Sequence, residues 1–371
     1  MTDTTEPADA TDLAEAADLA VWRRARRQLF VPVDILVLAL SVACAAGLPI
    51  PEALQYVPFA LGLVVFGLPH GALDHLVPAR LAGRRPTVAT VAPVVGLYLV
   101  LGVAVAALWV VSPTVAFVFF IALTWFHWGQ GDAFASARRT GERLGWPRAI
   151  GFPLLRGALP MVVPLIAFPA TYAVVLGATT HAFGGDSPSG TLAPGIRLAL
   201  GVGMLVLAIT VALLDAWERR GTAGGRRAWL GDMAEVALLA FFFSTVPPVL
   251  AVGLYFALWH SLRHIVRLSL LDPALSRPLD EGRWGIVLLR FSGQAAPVTG
   301  IALLILAGLF FALTPRTSGG PMGLLGIYLV LISALTVPHT VIVAMMDHAQ
   351  GRRSGRTPAP EHLDASTARD A

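Results

Sequence analysis

The sequence predicts an all-α polytopic membrane protein, a bundle of about 8–10 transmembrane helices with a histidine metal site inside the bundle. Composition is the first indication, because 56% of the 371 residues are hydrophobic and only 13% are charged, more apolar length than a soluble core can absorb. The second is that the apolar residues fall into long runs separated by arginine clusters. The third is that most of the histidines lie within these runs.

Ten apolar segments of membrane-spanning length are predicted. The fifth contains Pro153, Pro160, Pro164 and Pro169, so it is expected to be kinked or broken. The only cysteine is Cys44, which excludes a disulfide framework, a cysteine-rich zinc site and an iron–sulfur cluster. The segments are 29–48, 55–78, 88–111, 114–134, 149–176, 193–216, 230–246, 249–268, 286–313 and 322–348.

The distribution of arginine predicts how the helices are oriented. The chain contains no lysine, and its arginine clusters occupy alternate connections, whereas the other connections contain only Arg316. This asymmetry predicts a multi-pass protein of the cell membrane with both termini cytoplasmic, rather than a nucleic-acid-binding protein. We therefore expect a flexible cytoplasmic tail over 1–28, a transmembrane helical domain over 29–348, and a second flexible cytoplasmic tail over 349–371.

The segment Leu258-Trp259-His260-Ser261-Leu262-Arg263-His264 contains the most informative histidine pair. At about 100° per residue, His260 and His264 project from one face of a helix, one turn apart. Such a pair supplies two ligands for one metal ion. Burying imidazoles at hydrocarbon depth without partners costs free energy, so a polar cluster there indicates a functional site. The alternative is a pair of core histidines bonded to backbone or water.

Three more histidines are predicted at the same depth. His70, His127 and His339 lie in the second, fourth and tenth segments, which run in the same direction as the eighth. Each of the five histidines follows the start of its segment by roughly 11–17 residues, which places them all in one half of the bilayer. Histidines that serve only packing would not be expected at one depth in the bilayer on four helices of the same direction.

Neighbouring residues are candidates for polar and aromatic support. Asp74 follows His70 by one turn on the same face, where it could accept a hydrogen bond from a metal-bound imidazole; His75 points elsewhere and is a weaker candidate. Asp132 follows His127 and is a further polar candidate. Phe126, Trp128 and Trp259 adjoin the histidines and are candidates to line a substrate passage.

Four segments together resemble the Brp/Blh family of membrane β-carotene 15,15′-dioxygenases. The resemblance rests on Leu68-Pro69-His70-Gly71-Ala72-Leu73-Asp74, Phe126-His127-Trp128-Gly129, Trp259-His260-Ser261-Leu262-Arg263-His264 and Val337-Pro338-His339, in this order. It implies an iron-dependent enzyme that cleaves the central double bond of β-carotene with O₂ to give two molecules of all-trans-retinal. The family's iron ligands match His70, His127, His260 and His264, whereas the role of His339 stays open. The resemblance also implies delivery of retinal to a rhodopsin-type protein.

The residue chemistry is compatible with this implication. Four neutral imidazoles suit Fe²⁺ and leave coordination positions open, although they also suit zinc or copper. A carotenoid dissolved in the bilayer could enter such a site from the side. Two other classes are kept as alternatives: a membrane di-iron desaturase or hydroxylase, which generally needs more histidines, and a haem-binding electron carrier.

Overall fold

The computed structural model describes residues 10–141, 145–185, 193–314 and 320–354, and every regular element within these ranges is helical. Two short helical turns, Pro273–Leu275 and Ser276–Asp280, precede the tenth long helix. The long helices are α1 (residues 10–45, made of Ala10–Ala25, a π-helical turn Arg26–Phe30 and Val31–Ala45), α2 (Glu52–Leu81), α3 (Val88–Val111), α4 (Pro113–Thr140), α5 (Trp146–Ala167), α6 (Pro169–His181), α7 (Pro194–Glu218), α8 (Gly225–Thr245), α9 (Pro248–Ser269), α10 (Trp284–Leu313) and α11 (Gly320–Ser354).

These helices correspond to the ten predicted segments. Within the described residues, nine helices are long and apolar enough to cross a membrane. Helix α4 is not among the nine, although it has 28 residues, because its second half is polar from His127 onward. The predicted break in the fifth segment is confirmed, since α5 ends at Ala167 and α6 begins at Pro169.

The described parts of the two predicted tails are helical. Helix α1 begins at Ala10, well before residue 29, and its Val21 and Trp22 are buried. These side chains pack against the turns that precede α10 and against Trp284 at its start. At the other end of the chain, α11 continues to Ser354. Residues 1–9 and 355–371 lie outside the described residues, and for them the flexible tails stay a prediction.

Helix α9 is the centre of the bundle. In its most apolar stretch 83% of the residues are buried, compared with 11% in α7. Leucine side chains of α7 and α10, such as Leu198 and Leu304, are instead exposed, as expected for helices that contact lipid. The two histidines of the sequence pair therefore lie on the most enclosed helix.

One end of the bundle contains a buried charged layer. Among the described residues, five arginines and five carboxylates form linked ion pairs there, with Arg156 to Asp132 at 2.8 Å and Arg219 to Asp232 at 2.7 Å. They come from α1, α4, α5, α8 and the C-terminal end of α7. Buried charges are tolerated when they are paired and hydrogen-bonded in this way. The members of the charged layer are Arg26, Arg139, Arg148, Arg156 and Arg219 with Asp34, Asp132, Asp215, Asp232 and Glu235.

Candidate metal centre

Five histidines from four helices meet in the middle of the bundle. Their ring centroids are 4.8 Å apart for His127 and His339, 5.0 Å for His264 and His339, and 5.6 Å for His70 and His260. In each of the triads His70/His127/His260 and Asp74/His264/His339, one ligand atom per residue lies within 4.8 Å of the others. All five histidines are buried.

Two of the helices that carry these histidines contain a π-helical turn next to them. In α2 the turn spans Leu63–Gly67 and ends just before His70, and in α9 it spans Tyr255–Ser261 and includes His260. Such a turn holds one residue more than an α-helical turn, and it occurs frequently at functional sites. The two turns contact each other, so the unusual backbone is concentrated at the cluster.

Unsatisfied ring nitrogens provide the test for a metal ion. The Nε2 atoms of His127, His260, His264 and His339 are buried and have no hydrogen-bond partner among the described residues. A buried nitrogen without a partner is costly, and four of them in one cluster are rare unless they share a ligand. Imidazole nitrogens are good donors to divalent transition metals, so the donor set fits a metal ion.

Two of the histidines are held by their other nitrogen. His70 donates from Nδ1 to the carbonyl of Gly67. His339 donates from Nδ1 to Asp74 Oδ2 at 2.6 Å, and the hydroxyl of Tyr98 donates to the same oxygen at 2.6 Å. A carboxylate behind an imidazole orients the ring and raises the basicity of its free nitrogen, so Nε2 of His339 is directed into the cluster.

Asp74 therefore supports His339 on α11. The sequence spacing had placed it on the same helical face as His70 instead. The reason is local, because the α-helix of His70 ends at Ala72 and Asp74 lies in a following 3₁₀ turn. His75 bonds to the carbonyl of Ala72 at 3.0 Å and is not part of the cluster.

Asp132 supports the site from the side of α9. It accepts hydrogen bonds from Tyr255 and Trp259, each at 3.2 Å, and from Arg156 at 2.9 Å. Tyr255 and Trp259 both belong to the π-helical turn that contains His260. Asp132 thus fixes the backbone next to one candidate ligand while it lies on the same helix as another, His127.

A second polar contact joins three of the helices that carry the histidines. Asp347 of α11 accepts a hydrogen bond from Gln130 of α4 and forms a 2.6 Å ion pair with Arg267 of α9. Arg267 also donates to Gln350 at 2.6 Å. These residues follow the histidines along their helices, so they close the cluster on one side.

An apolar chamber of about 230 Å³ lies on the opposite side of the cluster. His70, His127 and His339 form part of its wall, together with Trp128 and Phe256. The chamber reaches residues that precede the histidines by about three helical turns, on the order of 16 Å along α2, α4 and α11. These distant wall residues are Phe59, Phe117 and Tyr328.

The aromatic candidates occupy three different environments. Trp128 lines the chamber. Phe126 is 53% exposed on the outside of the bundle, because it is rotated by about 100° from His127 in the direction away from the chamber, whereas Trp128 is rotated by the same angle in the other direction. Trp259 is fully buried behind the cluster, between Asp132 and Arg263, which stacks 3.9 Å from its ring.

Sequence reasoning did not identify Tyr98 or Arg156. Tyr98 lies in an otherwise apolar segment, and no sequence pattern distinguishes it from a packing residue. Arg156 carried a usable signal, because a charge inside an apolar segment indicates a buried partner or a functional site. Its partners, Asp132 and Glu235, lie on other helices.

The comparisons with known proteins give a consistent result. A family model described as beta-carotene 15,15′-dioxygenase matches residues 61–347. The probable beta-carotene 15,15′-dioxygenase Blh of Halobacterium salinarum is 42% identical over 344 residues, which cover 88% of this chain and 96% of that protein. The probable beta-carotene 15,15′-dioxygenase Brp of the same species is 29% identical, over 84% of this chain and 89% of that protein.

A more distant relative has the same description. The beta-carotene 15,15′-dioxygenase of an uncultured marine bacterium, 66A03, is 25% identical over 76% of this chain and 91% of that protein. No solved structure matches the chain. The family match includes all five clustered histidines, and the first relative covers nearly the whole chain. The chain therefore belongs to the beta-carotene 15,15′-dioxygenase family of membrane enzymes.

Proposed function

We propose that this protein binds one Fe²⁺ ion in the histidine cluster and uses O₂ to cleave the central 15,15′ double bond of β-carotene, giving two molecules of all-trans-retinal. The observation that carries the proposal is the convergence of four unsatisfied Nε2 atoms in a cluster whose His127 and His339 line an apolar chamber. The family provides the substrate and the reaction.

The ligand set is proposed as His70, His127, His260 and His264, with His339 as a fifth ligand. The argument for His339 is its environment, because Asp74 and Tyr98 direct its free Nε2 toward the other four histidines. A ring supported only for packing would not need a buried carboxylate and a tyrosine hydroxyl behind it. When bound, the metal supplies the chemistry that activates O₂.

The protein's own residues position the carotenoid and exclude water. The chamber wall is dominated by side chains such as Phe117, Ile121, Leu329 and Ile332, which suit a polyene that enters from the bilayer. Its length beyond the histidines corresponds to about half of an extended C40 polyene, so the central bond would lie at the histidines. In the reaction this carbon–carbon double bond is broken, and each of its carbons gains a carbonyl oxygen.

The arrangement and the number of the histidines disfavour the haem-binding and the di-iron alternatives. Axial ligation of haem places two imidazoles on opposite faces of a broad porphyrin, whereas here five rings crowd around one point, with neighbours 4.8–5.6 Å apart. A di-iron site of the desaturase type generally uses about twice as many histidines as this cluster contains.

The proposal includes the setting of the enzyme. The arginine clusters between helices support a cell-membrane location with both termini on the cytoplasmic side. The product retinal is hydrophobic and is released into a bilayer or to a retinal-binding protein of the rhodopsin type. The three-part division of the chain, with short tails around the residues 29–348, belongs to the same proposal.

Expression in β-carotene-producing cells tests the reaction. The wild-type chain should bleach the carotenoid and yield retinal, and the purified protein should contain about one iron per chain. His127→Ala, His260→Ala and His264→Ala should each abolish product and lower the iron content. His348→Ala is the matched control, because His348 is exposed on α11. Membrane-inserted protein without retinal would refute the proposed function.

A further inference from the structure

The apolar chamber is long enough for one half of the proposed substrate. Its wall extends from the histidines to Phe59, Phe117 and Tyr328, about three helical turns away, which matches the part of a C40 polyene on one side of its central bond. A carotenoid whose central bond lies at the histidines has a second half of the same length. This second half must leave the cluster in another direction.

The second half cannot continue straight past the histidines, because that side of the cluster is polar. Asp347 and Arg267 form a 2.6 Å ion pair there. The cavity on this side has a volume of about 20 Å³, and its wall includes Asp132 and Arg263. A polyene would have to disrupt buried charged contacts to pass, and breaking such contacts is strongly destabilising.

Two further sides of the cluster are closed by tight packing. Helix α4 approaches α5 so closely that a Cβ atom on Gly157 would clash with the backbone oxygen of Trp125. Helix α9 lies in the centre of the bundle, and 83% of its most apolar stretch is buried. An extended polyene therefore has no passage through α4 or α9.

Helix α10 borders the chamber on a remaining side, and there the wall is thin. It contacts the helical turn Pro69–Ala72, which carries His70, so it passes the chamber near the level of the cluster. Val298 and Thr299 of α10 both line the chamber. Val298 is also 37% exposed and lies one turn from the lipid-facing Ile301, and no other chamber residue that the structure describes is exposed to this extent. A single side chain thus separates the chamber from the lipid.

The backbone of α10 is weakened at the same place. Pro297 lies inside the helix, so it cannot donate a hydrogen bond to the carbonyl of Gly293. Gly300, about one turn further along, has open space where a Cβ atom would lie. Helices bend most readily at positions of this kind, so α10 can widen the gap beside Val298 without unfolding.

We propose that the carotenoid enters beside Val298 and is bound with one half in the chamber and the other half in the lipid next to α10. The inference rests on the proposed function, because the position of the cleaved bond defines the two halves. The protein then selects only the half that lies in the chamber. The substrate class is carotenoids with one unmodified β-ring end, whose opposite end can carry a large apolar group.

Carotenoids esterified with a long acyl chain on one ring or on both rings test this binding mode. Without O₂ no cleavage occurs, and the shift of the carotenoid absorption on the purified holoenzyme measures binding. The singly esterified carotenoid should bind within about threefold of β-carotene, and the doubly esterified one roughly tenfold or more weakly, since it has no free end for the chamber. In air, the singly esterified carotenoid should yield retinal from its unmodified half. If it binds as weakly as the doubly esterified carotenoid, the half-exposed binding mode is wrong.

Two valine substitutions test the location of the opening. Val298→Trp fills the gap and should weaken β-carotene binding roughly tenfold, as expected for overpacking, with a wild-type iron content. Val202→Trp is the matched control and should bind as the wild type does, because Val202 is 53% exposed on α7, which contributes no described residue to the chamber wall. Equal binding by the wild type and both variants would overturn the location. Protein that binds in the expected pattern but forms no retinal in air would instead refute the proposed function, so the two failures are distinguishable.

Discussion

Tyr98→Phe tests whether the contacts behind His339 tune a metal ligand. The substitution keeps the ring and removes one hydroxyl, which donates to Asp74 Oδ2 at 2.6 Å. A hydrogen bond to a charged group contributes about 1.5–3 kcal/mol. Asp74 Oδ1 is already buried without a partner, so the carboxylate has no alternative donor, and its hold on His339 should weaken.

The expected size follows from that free energy. Since about 1.4 kcal/mol corresponds to a tenfold change in affinity, Tyr98→Phe should weaken metal binding by roughly 10–100-fold, which is also the range for residues that support metal ligands. Asp74→Asn should have an effect at least as large, because it removes the charge that both donors share.

Competition with a chelator of known affinity measures this effect on purified protein. Tyr172→Phe is the matched control, because Tyr172 also lines the chamber but makes no contact with the Asp74–His339 pair. If Tyr98→Phe and Asp74→Asn both fold and bind the metal with wild-type affinity, the contacts behind His339 do not tune a metal ligand. His339 would then be a packing residue.

Three further predictions test packing, access and the charged layer. Gly157→Ala should prevent accumulation of folded protein, because its Cβ would lie 1.9 Å from a backbone oxygen of α4; Gly96→Ala, with open space around it, should accumulate normally in the membrane fraction. Ile332→Trp should reduce retinal formation by filling the chamber, and an unchanged iron content would separate blocked access from lost metal. Asp132→Asn should lower stability by about 3–5 kcal/mol, because it weakens a buried ion pair with Arg156; an unaltered unfolding midpoint would contradict this role.

The helical bundle and the histidines of the cluster were accessible from sequence because both depend on short-range patterns. A run of about 20 apolar residues has few stable structures other than a membrane helix. His70, His127 and His339 share a predicted depth with His260 and His264, and this depth follows from counting residues along helices whose direction the arginine clusters predict. The structure places all five in one cluster.

The supporting contacts were less accessible, because they join residues far apart in the chain. The sequence spacing predicts that Asp74 shares a helical face with His70. In the structure a 3₁₀ turn after Ala72 directs Asp74 to His339, 265 residues away. Helix packing decides which residues meet across such distances. Phe126 shows the same limit, since both sequence neighbours of His127 are rotated by about 100° from it, and helix packing decides that Trp128 lines the chamber while Phe126 is exposed.

The π-helical turn at Tyr255–Ser261 makes the site depend on the backbone conformation of one turn as well as on residue type. A turn of this kind contains one residue more than its α-helical equivalent. If this turn relaxed to α-helical geometry with all of its residues kept, the extra residue would no longer be absorbed. The residues beyond the turn would then rotate by about 100° relative to those before it. His264 would then face a different neighbour from the one that it faces now, although no histidine had been replaced.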